Sequence, residues 1–459
     1  MTGGVQTLLV ANRGEIALRI VRAAQELGIR SVAVCSEVDV DSLHVEHADS
    51  HVVIGPASAT KSYLNVDALL AAAEEAGADS VHPGYGFLSE NAEFAQRVID
   101  AGLTWVGPAP EAIRQMGDKA AARAAAERAD VPTVPGSDGP VSGLDEAREV
   151  AETVGYPLAI KASAGGGGRG IRIVANPEEL AAQVPVAQAE AKAAFGSGEV
   201  YLERFVARAK HIEVQVIGDG TRAIHFGERE CSLQRRRQKV IEEAPAPGLP
   251  DSVREELTAS AVRLAERVGY SGAGTVEYLY DPAIQEFFFI EMNTRIQVEH
   301  PVTEMITGHD LVKEQLLIAA GNALSITQDD VQFTGHSIEA RLNAENPDFD
   351  FLPSPGHLDV FRMPGGPFVR VDSGFEAGRG VPPFYDSMLA KIIVWGRDRD
   401  EALSRLARAL DEVEVQGIAT TVAFKRRLLD LPEVRSGDYH TTYLEDMLRA
   451  EGSSDKEAT

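Results

Sequence analysis

FFFIEMNTRIQVEHPVTE, residues 287–304, is the stretch around which the chain is organised, because an apolar run passes there into a strict alternation of polar and apolar residues. In an extended chain, successive side chains point to opposite faces, so the polar residues share one face. These polar residues are Glu291, Asn293, Arg295, Gln297 and Glu299. An ordinary half-buried strand with a solvated face gives the same pattern, so the neighbouring segments must decide between the two interpretations.

The preceding segments, GTVEYLY (274–280) and EFFFIE (286–291), have the pattern of a hairpin with a short loop between them. Pairing of these strands brings Glu277 close to Glu291. Like charges that face each other destabilise a sheet, and buried carboxylates are costly, so a cation between them is the natural resolution. An oxygen-only ligand set suits Mg²⁺, which is usually shared with substrate phosphates. The ligands predicted are Glu277, Glu291 and Asn293.

The composition describes a globular protein of several domains. At 459 residues, with 44% apolar and 25% charged residues, the chain predicts about two to three domains. No apolar run is long enough for a membrane span and no secretory leader is visible, so a cytoplasmic protein without membrane contact is expected. The two cysteines, Cys35 and Cys231, lie too far apart in sequence to suggest a zinc site. A net charge of −26 argues against a nucleic-acid partner.

The N-terminal segment predicts a Rossmann-like domain over residues 1–115. TLLVA, the helix pattern NRGEIALRIVRAAQELG and IRSVAVC form a strand, a helix and a strand, as in the first βαβ unit of a parallel sheet. The turn before the helix carries one glycine, Gly14, where a dinucleotide fingerprint needs three. The scaffold is therefore supported, but a nicotinamide cofactor is not.

A glycine run in the central part of the chain predicts a phosphate-binding lid. GYPLAIKASAGGGGRGIRIV (155–174) places four glycines between two strand patterns, the first of which carries Lys161. Backbone N–H groups of such a loop can close over phosphates, whereas a flexible linker would not be flanked by strands on both sides. It is not a P-loop, because no Gly-Lys-Ser or Gly-Lys-Thr follows.

Two further features are left with alternatives. The basic cluster Arg235 to Lys239 is interpreted as an anion site, with an internally salt-bridged loop as the other possibility. Further on, HSIEARLNAEN places Arg341 on an alternating strand of a small C-terminal α+β domain. The polar tail EGSSDKEAT is expected to be disordered.

The motifs VANRGEIALRI, VHPGYGFLSEN, MGDK, IKASAGGGGRG, CSLQRRRQKVIEEAPAPG, FIEMNTRIQVEHPVTE, SIEARLNAE and PFYDSMLAKI together resemble those of the biotin carboxylase family of ATP-grasp enzymes, over roughly residues 5–445. The resemblance implies an α/β and α+β multidomain fold. The expected units are an N-terminal Rossmann-like domain (1–115), an ATP-grasp domain (116–333) with a glycine-rich lid (about 133–204), a small C-terminal domain (334–447) and a disordered tail (448–459).

The resemblance also implies an activity and a set of site residues. Members use ATP with Mg²⁺ or Mn²⁺ to activate bicarbonate as carboxyphosphate, and then carboxylate biotin on a carrier. By matching positions, the metal would be bound by Glu277, Glu291 and Asn293. The ATP phosphates or ribose would be contacted by Lys119, Lys161, Gly167, Gly168 and His211, and the adenine by Glu203, Arg204, Phe205 and Val206. Bicarbonate would be bound by Lys239, Arg295, Gln297 and Val298, the biotin ureido oxygen would be contacted by Arg341, and the base would be Glu299.

Some positions depart from the family pattern or need a special backbone. Arg237 stands where many relatives have a histidine beside the ribose, and Arg204 replaces a common lysine. Arg295 and Glu299 would lie about 13 Å apart in an extended strand at ~3.3 Å per residue. The chain must therefore bend between Arg295 and Glu299 if both are to reach one anion.

The resemblance implies partners as well. A biotin carrier protein and a carboxyltransferase subunit are expected on separate chains, as in an acyl-CoA carboxylase such as the acetyl-CoA carboxylase of fatty acid biosynthesis, and a homodimer is considered. The final carboxyl acceptor is open between an acyl-CoA and a keto acid. Two other functions remain: an ATP-grasp ligase that joins a carboxylate to an amine through an acyl-phosphate, and a nucleotide-binding regulatory module.

Overall fold

The computed structural model describes residues 4–162, 171–195 and 198–457. Its first unit is a five-stranded parallel sheet in the order β3-β2-β1-β4-β5, flanked by helices, as expected for a Rossmann-like domain. The strands are β1 Thr7–Val10, β2 Arg30–Cys35, β3 Ser50–Val53, β4 Ser80–His82 and β5 Thr104–Trp105; the helices are α1 Gly14–Glu26, α2 Leu43–His47, α3 Val66–Ala76, α4 Ala92–Asp100 and α5 Pro110–Gly117.

A smaller unit follows, with a three-stranded antiparallel sheet in the order β7-β6-β8. Its apolar side chains, among them Leu158, Ile160, Leu180 and Leu202, form a core of their own. The elements of this part of the chain are α6 Lys119–Arg128, α7 Leu144–Val154, β6 Leu158–Ala162, β7 Ile171–Val174, α8 Pro177–Phe195 and β8 Val200–Arg204. Gly167 and Gly168, expected in the phosphate lid, lie outside the described residues.

The largest element is an eight-stranded antiparallel sheet in the order β13-β12-β9-β10-β11-β14-β21-β19. Its strands are β9 Lys210–Asp219, β10 Ala223–Arg235, β11 Gln238–Ala244, β12 Ser271–Asp281, β13 Glu286–Asn293, β14 His336–Asn343, β19 Val369–Ser373 and β21 Met388–Gly396. Because β11 pairs with β14, with Ile241 opposite Ala340, the sheet continues across the boundary expected at residue 333. The C-terminal part therefore extends the central sheet instead of standing beside it.

Helices cover this sheet, and short strands complete the C-terminal part. The remaining elements are α9 Asp251–Arg267, α10 His300–Thr307, α11 Leu311–Ala319, β15 Glu345–Asn346, β16 Leu352–Pro353, β17 Gly356–His357, β18 Val360–Arg362, β20 Gly380–Val381, α12 Arg399–Glu412, β22 Glu414–Gln416, α13 Val422–Leu428, α14 Pro432–Ser436 and α15 Tyr443–Glu457. Within the described residues, no helix is long and apolar enough to cross a membrane.

Two local expectations were wrong. The backbone of residues 448–457, expected to be disordered, continues α15 as helix, because Met447 and Leu448 pack against the core beneath α12 and anchor it. The alternating stretch 291–299 is also not one strand, since β13 ends at Asn293 and α10 begins at His300. The intervening residues turn the chain, which supplies the bend that Arg295 and Glu299 require.

Candidate active site

The hairpin predicted from the sequence forms in the predicted register. Strands β12 and β13 are antiparallel, and Glu277 lies opposite Glu291. Asn293 Nδ2 donates a hydrogen bond of 2.7 Å to Glu277 Oε1. The first and third predicted metal ligands are thus in contact, and the second faces the first across the ladder.

The two carboxylates of this pair differ in their surroundings. Glu277 is buried and lies 3.0 Å from His211 Nε2 and 3.3 Å from Lys239 Nζ. Burial alone would raise the pKa of Glu277, but Lys239 and His211 hold it below its usual range. Partial burial and the charge of Glu277 instead raise the pKa of Glu291, while the nearby Lys119 partly offsets them.

This arrangement fits a divalent cation. Two mutually repelling carboxylates and the amide of Asn293 offer the hard oxygen donors that Mg²⁺ prefers. A cation between Glu277 and Glu291 would remove the repulsion that raises the Glu291 pKa. The donor chemistry is therefore that expected of a magnesium site next to substrate phosphates.

A charged cluster lies at the junction of β11, β14 and the start of α10. Lys239 Nζ donates to Glu299 Oε1 at 2.5 Å, and Arg341 Nη2 donates to Glu299 Oε2 at 2.9 Å. Glu299 is fully buried at 0% exposure, so both its oxygens face cations and neither faces bulk water. The structure thus joins three residues that the sequence places 60 and 42 positions apart.

The electrostatics of the cluster follow from this pairing. Burial favours a protonated Glu299, but Lys239, Arg341 and Arg229 together hold its pKa well below the usual range. Burial likewise favours a neutral Lys239, yet Glu213, Glu277 and Glu299 raise its pKa well above the ordinary value. Both groups are therefore charged near neutral pH in this state.

Three supporting residues were not predicted from the sequence. Glu213 binds Lys239 at 2.5 Å and Arg229 at 2.6 Å, and Glu242 binds Arg341 at 2.6 Å. Glu213 lies two residues after His211 in a stretch that alternates with Ile212 and Val214, so the period-2 rule that selected 291–299 could have found it. No comparable local signal marks Arg229 or Glu242.

Arg295 is oriented by the N-terminal domain. Its Nε donates to Glu90 Oε2 at 2.9 Å, and Glu90 Oε1 accepts from the backbone of Thr294 at 3.1 Å. The same guanidinium contacts Gln297 Oε1 at 3.0 Å and Asn293 Oδ1 at 3.2 Å. The VHPGYGFLSEN loop, which contains Glu90, therefore fixes the turn between β13 and α10.

The residues of β6 and β8 expected to meet the nucleotide are more open, whereas His211 is buried. Lys161 forms an ion pair with Glu203 at side-chain exposures of 40% and 26%, so both remain accessible to a ligand. Arg204, Phe205 and Val206 are half-buried at the end of β8, and Phe205 N is bonded to Pro157 O at 2.9 Å.

Two arginines of the basic cluster pair with an acid from another part of the chain. Arg235 and Arg236 both bind the carboxylate of Asp350, at 2.7 and 2.8 Å, so the salt bridges of these two residues are not internal to the loop. These residues belong to a hairpin whose turn, Arg236-Arg237, has positive φ angles of 48° and 66°. Arg237 is exposed there, and only Lys239 of this cluster reaches the charged junction.

A cavity of about 620 Å³ opens beside the cluster. Its lining includes Lys239, Val298 and Arg341 of the charged cluster, Tyr85 and Gly86 of the N-terminal domain, and Phe351, Val381 and Phe384 of the C-terminal part. A lining that combines charged and apolar side chains suits a ligand with a compact polar head and an apolar arm.

Comparisons with known proteins agree with this architecture. Three family models match in order: "Biotin carboxylase, N-terminal domain" over residues 4–113, "Carbamoyl-phosphate synthase L chain, ATP binding domain" over 118–327 and "Biotin carboxylase C-terminal domain" over 339–446. The biotin carboxylase of Pseudomonas aeruginosa is 53% identical over 97% of this chain and 99% of its own. Biotin carboxylase 1 of Bacillus subtilis is 51% identical over 96% of this chain and 98% of its own. The chain belongs to the biotin carboxylase family.

A solved structure of the biotin carboxylase family carries the relevant ligands. The biotin carboxylase domain dimer of Hydrogenobacter thermophilus 2-oxoglutarate carboxylase, in complex with MgADP, ADP and bicarbonate, matches with a TM-score of 0.85 and 46% identity over 96% of this chain and 97% of that one. The three-domain biotin carboxylase fold and the biotin carboxylase function expected from the sequence are therefore confirmed. The two other functions considered, a carboxylate–amine ligase and a regulatory module, are therefore not supported.

Proposed function

We propose that this protein carboxylates biotin held on a separate carrier protein, using bicarbonate and ATP with Mg²⁺ or Mn²⁺, and that its chemistry is centred on Glu299. The observation that carries this assignment is the fully buried Glu299 carboxylate between Lys239 and Arg341, two residues that line the cavity. It places a buried base next to two cations, which is the arrangement that electrostatic catalysis needs.

In the first half-reaction, Glu299 is the base that removes the bicarbonate proton. Its low pKa in the resting state reflects Lys239 and Arg341, and a carboxylate so paired is a weak base. A bicarbonate anion bound by Lys239, Arg295, Gln297 and the Val298 segment would draw hydrogen bonds from Lys239. Glu299 would then accept the proton more readily, so substrate binding itself activates the base.

The nucleotide lies beside this anion site. Glu277, Glu291 and Asn293 would hold Mg²⁺, which would neutralise phosphate charge. Lys119, Lys161, Gly167, Gly168 and His211 would contact the phosphates or ribose, Arg237 would border the ribose, and Glu203, Arg204, Phe205 and Val206 would meet the adenine. The deprotonated bicarbonate oxygen attacks the γ-phosphorus, giving carboxyphosphate and ADP.

In the second half-reaction the ureido head of biotin enters the cavity. As N1′ loses its proton to the phosphate released from carboxyphosphate, negative charge develops on the ureido oxygen, and Arg341 with Lys239 stabilises it. One preorganised donor of this kind is worth ~3 kcal/mol in other enzymes. N1′ then takes the carboxyl group released from carboxyphosphate, and phosphate leaves.

Partners and context follow from this reaction. A separate biotin carrier and a carboxyltransferase subunit would complete the enzyme in the cytoplasm, and we expect a homodimer because the related 2-oxoglutarate carboxylase domain forms one. As the final acceptor of the carboxyl group we favour an acyl-CoA, as in an acetyl-CoA carboxylase. The 2-oxoglutarate carboxylase, in contrast, acts on a keto acid. We divide the chain into units 1–115, 116–333 with its lid at 133–204, and 334–447.

The test is ATP hydrolysis measured with and without bicarbonate and free biotin. We expect ADP release that requires bicarbonate and Mg²⁺ and is stimulated by biotin, with carboxybiotin as product. Glu339→Gln is a matched control, because burial holds the pKa of Glu339 well above its usual range and the amide resembles the protonated acid. A rate of ADP release that does not depend on bicarbonate but increases with an added amine would overturn the proposal.

A further inference from the structure

A buried lysine outside the predicted site touches the backbone next to the base. Lys391 on β21 has 0% exposure, and its Nζ donates to the carbonyl oxygen of Val298 at 2.9 Å. Val298 directly precedes Glu299, and Glu299 is the N-cap of α10. This contact links the C-terminal part of the sheet to the turn that presents the base.

The same ammonium also reaches the N-terminal domain. Lys391 Nζ lies 3.1 Å from Glu15 Oε1, near the start of α1. Glu15 in turn accepts a hydrogen bond from the hydroxyl of Tyr85, which lines the cavity. Asn12 Nδ2 holds the carbonyl of Tyr85 at 2.7 Å, so the loop is fixed from both its backbone and its side chain.

The buried pair of Lys391 and Glu15 is costly for the fold. Burying a lysine and a carboxylate costs desolvation energy that an apolar pair of similar size would avoid. Lys391 lies opposite Arg341 on β14 and opposite Asp372 on β19, so its position in the sheet is set independently of the N-terminal domain. It therefore provides a fixed point that contacts the Val298 turn directly and the Tyr85 loop through Glu15.

We propose that Lys391, with Glu15 and Tyr85, is a positioning device that sets the Val298–Glu299 backbone relative to the cavity wall. This inference rests on the proposed function and deepens it. Lys391 acts through Val298 and does not touch substrate. Its loss would displace the base from bicarbonate, whereas the contacts assigned to the nucleotide would stay in place.

The test compares two double variants that each remove a buried ion pair. Lys391→Met with Glu15→Gln removes the positioning pair without leaving an unpaired charge. The control, Arg399→Met with Glu243→Gln, removes a buried pair with contacts of 2.7 and 2.9 Å that also joins the C-terminal part to β11. Thermal midpoints of both variants report the general cost of losing such a pair.

For the positioning pair we expect bicarbonate-dependent ATP hydrolysis to fall by about 10- to 100-fold, because a small misplacement of a reacting group has effects of that size. The KM for ATP should stay within about twofold of the original protein, a difference of roughly 0.4 kcal/mol. The control should lose thermal stability but keep its rates. Tyr85→Phe, which deletes one hydroxyl, should show a smaller fall of the same kind.

Equal rate losses in the two double variants, or a loss carried by the KM for ATP, would overturn the positioning role. These outcomes differ from failure of the proposed function, in which the original protein itself would show no bicarbonate-dependent hydrolysis.

Discussion

The two sides of the candidate active site are built on different principles. At the junction, Glu213, Lys239, Glu299 and Arg341 are buried or nearly so, and each is held by opposite charges. On the nucleotide side, Lys161 and Glu203 are partly exposed and Glu291 faces a like charge. The junction is preorganised for charge that develops during reaction, whereas the nucleotide side is completed by its ligands.

The largest effect is expected from Glu299→Gln at the junction. The amide cannot accept the bicarbonate proton, and it leaves Lys239 and Arg341 without their shared partner. Bicarbonate-dependent ADP release and carboxybiotin should both fall by about 10²- to 10⁴-fold, the usual contribution of a general base. Parallel assays of ADP and carboxybiotin check this, with Glu339→Gln as control, and a variant that keeps ADP release would remove Glu299 from the first half-reaction.

Arg341→Ala should separate the two half-reactions. Carboxybiotin formation is expected to fall by about 100-fold, the equivalent of one lost oxyanion donor, while ATP is still hydrolysed because carboxyphosphate decomposes unproductively. The substitution also leaves Glu242 buried without its guanidinium. Adding Glu242→Gln should restore stability without restoring carboxylation, and proportional loss of both products would contradict the division of roles.

On the nucleotide side, Glu291→Gln should weaken metal use while leaving the fold intact. The Mg²⁺ concentration for half-maximal activity should rise by about tenfold, or roughly 1.4 kcal/mol. The raised pKa of Glu291 means that its protonated form persists to higher pH than usual. In the original protein the Mg²⁺ requirement should therefore increase as pH falls towards that pKa, and in the variant this pH dependence should be weaker. An unchanged metal requirement would argue against Glu291 as a ligand.

Lys425, on the cavity wall, is expected to change stability; its Nζ lies 3.2 Å from Asn343 Oδ1 and 3.0 Å from Thr421 Oγ1. Burial lowers its pKa to about 7. Above that pH the unfolded chain binds a proton that the folded protein does not, so stability should rise with pH between this value and about 10.4, by at most about 1.4 kcal/mol per pH unit.

Lys425→Met should flatten this pH dependence and stabilise the protein most at neutral pH. Urea unfolding at several pH values measures both effects. An unchanged slope in the variant would show that Lys425 is not the group responsible.

Local patterns in the sequence predicted much of the fold and the candidate site. The β12–β13 hairpin, its Glu277–Glu291 register and the first βαβ unit were predicted, because strand alternation and turn residues act over a few positions. The bend between Arg295 and Glu299 was predicted because an extended strand would hold the two residues too far apart to reach one anion. The helical end of the chain was missed, because contacts with a distant core decide it.

The sequence by itself determined which residue types are present, the elements that carry them and the family to which the chain belongs. Only the tertiary structure decided that Lys239 and Arg341 both pair with Glu299. It also decided that Arg235 and Arg236 pair with Asp350. The contact between Lys391 and the Val298 carbonyl depends on it as well. The physical reason is that side-chain periodicity is a local property, whereas ion pairing in a buried junction depends on which strands of the eight-stranded sheet become neighbours.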